Sequence, residues 1–157
     1  MSPARVYASV ASGGVMLAGM ITTRTFDVST KGQGDALDIT EDVAAAVTES
    51  TLRSGIATVF VVGSTAGVTT IEFEPGAIAD LNAVFEDLAP RTGDYQHHLR
   101  WGDDNGSSHV CAALLGPSLT VPFTAGTLAL GRWQQIMLLE FDTRPRTREM
   151  VIQLIGE

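Results

Sequence analysis

The chain has 157 residues, of which 45% are hydrophobic and 18% are charged, and acidic residues outnumber basic ones by 18 to 10. This length suits one domain with its own core, and a formal charge of −8 disfavours nucleic-acid or anionic membrane partners. No apolar run approaches the roughly 20 residues that span a bilayer, so we predict a soluble protein.

The first 19 residues are predicted to be an extension, followed by a single domain at residues 20–157. The extension weakly resembles a secretory signal, but two serines and two glycines interrupt its apolar centre. A short N-terminal strand is the alternative. Cys111, the single cysteine, lies in an apolar run typical of a buried thiol and excludes an intramolecular disulfide, which suits the reducing cytoplasm.

Strand and helix signals alternate in the first part of the domain. Met20 to Val28 is rich in β-branched residues and predicts a strand, with a turn at Lys31 to Asp35. The apolar spacing of Asp38 to Ser54 predicts a helix, for which Asp38 and Thr40 are N-cap candidates.

Two strands and a second helix are predicted next. Ala57 to Val62 is a short apolar run typical of a buried strand, and Val68 to Glu74 alternates as a second strand does. We expect these two strands to pair across the tight loop between them. Apolar residues recur at helical spacing from Ile78 to Leu88, and Pro90 ends this helix.

The remainder of the chain combines a polar loop with further strands. Arg91 to Ser108 predicts a long loop of the kind that carries function or is disordered, and His109 to Leu115 suits either a helix or a strand. Further strands are predicted at Ser118 to Phe123, Leu128 to Asp142 and Thr147 to Ile155, with a hairpin loop at Thr124 to Thr127. The pattern predicts an α+β fold, mainly an antiparallel β-sheet or sandwich with two or three helices.

The residues best suited to chemistry lie in the predicted loop and just beyond it. They comprise all three histidines and a polar group, namely His97, His98, His109, Asp103, Asp104 and Asn105. Neutral imidazoles beside oxygen ligands suit a divalent metal such as zinc or magnesium, or acid–base catalysis, with His97 and His109 as the principal residues. The alternative is a solvated or capping role, because the spacing matches no well-defined zinc pattern.

The loop Gly63 to Gly67 is a second candidate site. Its small residues let a ligand approach the backbone, and the hydroxyls of Ser64 and Thr65 are suited to holding a phosphate. The same residues are also common in hairpins. Arg146 or Arg148 would favour a phosphorylated ligand if the fold brought either one close, whereas the alternative is that they balance acidic neighbours at the surface.

Several motifs, in order, resemble the YjbQ-like family over residues 20–157. The matching residues are Tyr95 and His97, then Asp103, Asp104 and His109, then Leu115 to Pro122, and finally Gly131, Trp133 and Gln134. Glu72 matches a family glutamate. One departure is Gly63, which stands where many members have a histidine. Trp133 falls in a predicted strand, where we expect it to pack in the core or at a subunit interface.

The resemblance implies thiamine-phosphate synthase-type activity on a small phosphorylated molecule and a homotrimer with pockets near subunit boundaries. In this interpretation the catalytic residues are His97, His109 and Glu72, and the ligand-binding residues are Ser64, Thr65, Asp103, Asp104, Asn105 and Arg148. Because the family histidine is absent at Gly63, a non-catalytic oligomeric protein that binds a metal or ligand is the main alternative. A purely structural domain is a third.

Overall fold

The computed structural model describes residues 6–10 and 16–157, with side chains from residue 19 onward. Within these ranges the chain forms nine strands and four helices. The strands are β1 (Val6–Val10), β2 (Met16–Ser29), β3 (Ala36–Asp38), β4 (Ser54–Val62), β5 (Ala66–Ile71), β6 (Ser118–Thr124), β7 (Thr127–Leu128), β8 (Gln135–Glu140) and β9 (Thr147–Gly156). The helices are α1 (Thr40–Ser50), α2 (Pro75–Leu88), α3 (Gln96–Trp101) and α4 (Gly106–Leu115).

The strands form two antiparallel sheets. The larger sheet has six strands in the order β1-β2-β9-β4-β6-β7, and the smaller has three in the order β3-β8-β5. Ile136 and Leu138 of β8 pack into the core shared with β4, β9 and α1, whereas Met137 and Leu139 pack against residues of α2 and α4. The small sheet is therefore a middle layer, buried on both faces. These observations confirm the predicted α+β class, with four helices.

The predicted pairing of the strands on either side of the Gly63 to Gly67 loop is wrong. β4 is hydrogen-bonded to β6 on one edge and to β9 on the other, so it has no free edge for β5. β5 pairs with β8 in the other sheet instead. The loop therefore carries the chain from one layer to the next and exposes Gly63 and Ser64 where the layers separate.

The predicted strand from Leu128 to Asp142 is also wrong as a single element. Leu128 ends β7 in the large sheet, a turn closed by the Gln134 amide donating to the Gly131 carbonyl follows, and β8 begins at Gln135 in the small sheet. Trp133 lies in this turn and is 61% exposed, so the prediction that it packs in the core of the chain is wrong. Its role at a subunit interface stays a prediction.

The polar segment from Arg91 to Ser108 is not a continuous loop. It contains α3 and the first turn of α4. The helical pattern was weak in the sequence because α3 buries none of its residues. The segment from His109 to Leu115 belongs to α4, which resolves the helix-or-strand alternative in favour of a helix.

The short N-terminal strand that was the alternative prediction for the first residues is present. β1 pairs with the start of β2, with Val6 opposite Met20, and β2 crosses the predicted boundary at residues 19 and 20. Residues 1–5 and 11–15 of the predicted extension lie outside the described residues, and the division into extension and domain stays a prediction. In the part that the structure describes, no helix is both long and apolar enough to cross a membrane.

Helix α4 lies unusually close to β5 because position 67 is a glycine. A Cβ there would lie 2.7 Å from Leu115 Cδ2 and 2.9 Å from the Gly116 carbonyl oxygen. The Val68 amide donates to the same carbonyl at 3.1 Å. Cys111 is buried on the inner side of α4, as predicted. This close packing fixes the position of α4 beside the loop that precedes β5.

Candidate functional site

A buried arginine holds the loop that joins β4 to β5. Arg148 of β9 is buried, and its Nη2 donates to Thr65 Oγ1 at 2.7 Å. A Cβ at Gly63 would lie only 2.7 Å from Arg148 Nη1. The guanidinium group therefore occupies the space that a side chain at position 63 would need, which gives a physical reason for glycine where the resemblance predicts a histidine.

The orientation of this guanidinium is fixed by Glu140, whose side chain is fully buried at the end of β8. Arg148 donates from Nε to Glu140 Oε2 at 2.7 Å and from Nη2 to Oε1 at 2.5 Å. Thr30 Oγ1 donates to Oε2 at 2.9 Å, and the Asp142 amide donates to Oε1 at 2.8 Å. A bidentate pair with all carboxylate oxygens satisfied is the arrangement in which buried charges are tolerated.

Asp142 extends the network to a second arginine. Its Oδ2 accepts hydrogen bonds from Thr65 Oγ1 and Arg146 Nε, each at 3.0 Å, and its Oδ1 accepts one from the Arg144 amide at 3.3 Å. Burial of this carboxyl opposes ionisation, but the hydrogen bonds from Thr65 and Arg146 outweigh burial, so the pKa of Asp142 lies below its usual value. Asp142 is therefore a stable anion at neutral pH.

Asp142, Arg146 and Arg148 line one wall of a polar cavity of about 360 Å³. The loop Gly63–Thr65 forms a second wall, and Asn105 and His109 of the α4 N-terminal region form a third. Arg146 and Arg148 both contribute to the lining. The fold thus brings together residues that are separated by more than 80 positions in the sequence.

The two principal histidines converge beside this cavity. The ring centroids of His97 on α3 and His109 on α4 are 4.5 Å apart, and His97 Nε2 lies 3.4 Å from Asp103 Oδ1. That contact is not aligned as a hydrogen bond, because Asp103 Oδ1 has no hydrogen-bond partner among the described residues. Asp103, His97 and His109 are therefore arranged in a series that leads to the cavity.

The metal site predicted from sequence is not complete in the described part of one chain. No three His, Cys, Asp or Glu side chains there are placed to hold a metal ion together. Zinc sites generally need at least three protein ligands, and His97 already faces Asp103. These residues therefore do not fit a complete zinc site within one chain, and a bound zinc or magnesium ion stays a prediction.

The remaining candidates lie at different distances from the cavity. Asp104 Oδ1 accepts a hydrogen bond from Thr143 Oγ1 at 3.1 Å, which places Asp104 against the segment between β8 and β9. His98 Nε2 accepts the Gly106 amide hydrogen at 3.0 Å and so helps to cap α4. Glu72 is exposed just beyond β5, at the end of that strand opposite to the cavity. Within one chain, Glu72 does not line the cavity.

Sequence reasoning missed Glu140 and Asp142, which organise the arginines. The sequence feature that could have identified them is an acidic residue at the end of the apolar run from Ile136 to Leu139. A carboxylate in a buried strand needs a partner, so such a residue indicates a buried ion pair or hydrogen-bond network. Treating Leu128 to Asp142 as one strand concealed that signal.

The network makes a testable prediction about acid stability. Because the folded-state pKa of Asp142 is lowered, its ionised form contributes stability above the ordinary aspartate pKa of about 3.9, and this contribution is lost as pH falls through the lower folded value. We expect Asp142→Asn to lower the free energy of unfolding by about 1.5–3 kcal/mol at pH 7, the range for hydrogen bonds to charged groups, and to weaken the acid dependence. Chemical denaturation at several pH values measures both effects.

Asp80→Asn on α2 is the matched control, because Asp80 is exposed. It should change the unfolding free energy by less than about 0.5 kcal/mol. Equal stability and equal acid dependence in Asp142→Asn and Asp80→Asn would contradict the role of the network.

Comparisons with known sequences identify the family of this chain. The family described as UPF0047 protein YjbQ-like matches residues 24–157. A UPF0047 protein of Methanothermobacter thermautotrophicus is 33% identical over 137 residues, which cover 87% of this chain and 94% of the relative. A UPF0047 protein of Archaeoglobus fulgidus is 38% identical over 121 residues, which cover 77% and 91% respectively.

Solved structures share the fold. A hypothetical protein from Aeropyrum pernix matches with a TM-score of 0.80 at 31% identity, over 87% of this chain and 99% of that one. A protein from Sulfolobus solfataricus, described as YbjQ-like and of unknown function, matches with a TM-score of 0.79 at 29% identity and the same coverage. From the sequence match over residues 24–157 and the shared fold, we conclude that this chain belongs to the UPF0047 YjbQ-like family.

Proposed function

We propose that this protein binds a small phosphorylated molecule in the polar cavity and acts on it by proton transfer. The observation that carries the proposal is the convergence of Arg146, Arg148, Ser64 and His109 on one cavity. Arginines and hydroxyls are suited to phosphate oxygens, and imidazole is the side chain best suited to proton transfer near neutral pH.

Asp142 in the cavity wall, and Glu140, which pairs with Arg148 but does not line the cavity, do not cancel its suitability for an anion. The oxygens of Glu140 and Asp142 are directed at donors within the network. The Nη1 groups of Arg146 and Arg148, by contrast, form no hydrogen bond with the residues that the structure describes. Hydrogen-bond donors thus remain for a ligand, whereas the carboxylate acceptors are occupied.

The histidine series supplies the catalytic part of the proposal. His109 would exchange a proton with the bound molecule, and His97, whose ring lies between Asp103 and the ring of His109, would position it. For thiamine-phosphate synthase-type activity, the ring nitrogen of the thiazole phosphate would form a bond to the methylene carbon of the pyrimidine as the bond from that carbon to the pyrophosphate oxygen breaks. Pyrophosphate would leave with the electron pair of the broken bond, the arginines would stabilise the negative charge on its oxygen, and His109 would donate a proton to it. Glu72 has no part in this mechanism within one chain.

Non-catalytic ligand binding is the second candidate, and one observation favours it. Arg148 fills the space beside Gly63 where the resemblance predicts an imidazole. The site therefore has one fewer group for proton transfer or metal binding. This candidate shares the phosphate-binding cavity with the first and differs only in turnover.

Phosphate binding tests both candidates. We expect Arg146→Gln to weaken the binding of inorganic phosphate or pyrophosphate by about 10- to 150-fold, because one charged hydrogen bond of about 1.5–3 kcal/mol is lost. Arg132→Gln is the matched control, because this substitution removes the same charge. Arg132 stacks on the exposed Trp133 in the turn before β8. Isothermal titration calorimetry at constant ionic strength measures the affinities. Equal weakening in both variants would indicate a general charge effect and contradict the site.

A turnover assay distinguishes the enzymatic candidate from the non-catalytic ligand-binding candidate. With a hydroxymethylpyrimidine-type pyrophosphate and a thiazole phosphate as substrates, we expect His109→Ala to lower the rate of product formation by about 10²–10⁴-fold, the usual contribution of general acid–base catalysis. Phosphate binding should persist. His98→Gln, which alters a histidine that caps α4 outside the cavity, is the control. Phosphate binding without turnover in the wild-type protein would support the non-catalytic candidate.

We further propose that the protein is a cytoplasmic homotrimer. The outer face of the large sheet exposes Ile56, Phe60 and Val62 of β4 and Ile155 of β9, and Ile56 lies directly opposite Ile155. An exposed apolar patch of this kind is typical of a protein–protein interface, and a second copy of the chain would bury it. The single buried Cys111 supports the reducing compartment.

Light scattering tests the assembly. We expect the wild-type protein to have the mass of three chains and Phe60→Glu to shift it toward one chain, because a charge would be buried at the contact. Leu88→Glu on the exposed side of α2 is the control and should leave the mass unchanged. A wild-type mass of one chain would contradict the homotrimer.

A further inference from the structure

We infer that Ser64 is a nucleophile that accepts a phosphoryl group from a bound phosphoryl donor and forms a phosphoserine. This inference rests on the proposed phosphate site and adds a second reaction there. In the synthase-type reaction a carbon–oxygen bond breaks and phosphorus is not attacked, whereas in this reaction Ser64 attacks phosphorus itself. The inference comes from the two hydroxyls of the loop between β4 and β5 and from the imidazole across the cavity.

The two adjacent hydroxyls of this loop have different environments. Thr65 is buried, and its Oγ1 donates to Asp142 Oδ2 at 3.0 Å and accepts from Arg148 Nη2 at 2.7 Å. Ser64 is exposed and lines the polar cavity, and its hydroxyl forms no hydrogen bond with the residues that the structure describes. Thr65 therefore anchors the loop, and Ser64 presents a hydroxyl that can react with a ligand.

The backbone at Ser64 is held from both sides. On one side, the Phe141 amide donates to the Thr65 carbonyl at 2.9 Å, in addition to the bonds of the Thr65 side chain. On the other side, Gly63 approaches Arg148 so closely that a Cβ there would lie 2.7 Å from Nη1. A nucleophile needs a position of this kind, because a small displacement from the geometry of attack lowers the rate strongly.

A general base borders the same space. Ser64 and His109 both line the polar cavity, and both also line a second cavity of about 320 Å³ beside it. The His109 ring packs against His97, and its nitrogens form no hydrogen bond within the described part of the chain. A serine hydroxyl is a weak nucleophile until an adjacent base removes its proton. His109 supplies that base.

The arginines provide the positive charge that attack at phosphorus requires. Arg146 and Arg148 line the polar cavity, and each has an Nη1 group without a hydrogen-bond partner among the described residues. Nη1 of Arg148 lies beside Gly63, the residue that precedes Ser64. Donors at this place stabilise the negative charge on the phosphoryl oxygens as the nucleophile arrives.

The reaction proceeds in two steps. In the first, Ser64 Oγ forms a bond to phosphorus as the bond from phosphorus to the leaving oxygen breaks, and the leaving group departs with the electron pair of that bond. His109 accepts the Ser64 proton and donates it to the leaving oxygen. In the second, water attacks the phosphorus of the phosphoserine, His109 accepts a proton from the water and donates it to Ser64 Oγ, and inorganic phosphate is released.

Acetyl phosphate, a phosphoryl donor without a ring, tests this inference on the intact protein. We expect wild-type protein that is incubated with acetyl phosphate and quenched in acid to gain the mass of one HPO₃ group, which peptide mapping by mass spectrometry would place on Ser64. The adduct should survive acid and be eliminated by alkali, as a phosphoserine is. Ser64→Ala should abolish the adduct, and His109→Gln should slow its formation by about 10²–10⁴-fold.

Thr124→Ala is the matched control. Thr124 carries an exposed hydroxyl and lies opposite Ser54 at the start of β4, whereas the cavity lies beyond the end of that strand. This variant should form the adduct as the wild-type protein does. Because the modified residue is mapped in wild-type protein, the result does not depend on the folding of a variant.

Two results would overturn the inference and leave the phosphate site standing. One is an adduct on His109, which would be labile in acid and found in a parallel sample quenched in alkali. The other is calorimetric binding of inorganic phosphate without any adduct on Ser64. If inorganic phosphate did not bind and no adduct formed, the proposed function would fail together with the inference.

Discussion

The buried pair of Arg148 and Glu140 is the interaction on which the site depends. Two hydrogen bonds fix the guanidinium against a carboxylate that is itself satisfied by Thr30 and the Asp142 amide. Breaking such a pair would leave an uncompensated buried charge, which costs about 3–5 kcal/mol. The pair connects β8 of the small sheet to β9 of the large sheet, and through Thr65 it also holds the loop between the layers.

The layered fold explains why this pair lies beside a cavity. Because β4 has partners on both edges, the chain must leave the large sheet after Val62 and enter the small sheet at Ala66. The crossing opens a cavity between the loop and α4. This polar cavity is lined by arginines whose orientation the buried carboxylates fix.

The sequence predicted the local elements better than their partners. Runs of β-branched or apolar residues located β2 and β4, and patterns with the 3.6-residue period located α1 and α2, since such patterns report how an element is buried. They do not report which sheet a strand joins, so the pairing of β4 with β5 was wrong. β8 is buried on both faces, and its unbroken apolar run merged with the preceding turn. His97 and His109 lie close together because α3 and α4 are adjacent in the chain, so the clustering of histidines in the sequence was informative. The contact of Arg148 with Thr65 spans 83 positions and left no local signal.

A crystal structure of the protein soaked with inorganic pyrophosphate tests the central claim most directly. We expect pyrophosphate oxygens within hydrogen-bonding distance of Arg148 Nη1, Arg146 and Ser64, with Glu140 still paired to Arg148. The arginine would then be a fixed donor that the fold holds ready for an anion. An anion bound elsewhere, or an Arg148 side chain engaged only by Glu140 and Thr65 in an anion-free cavity, would contradict the account.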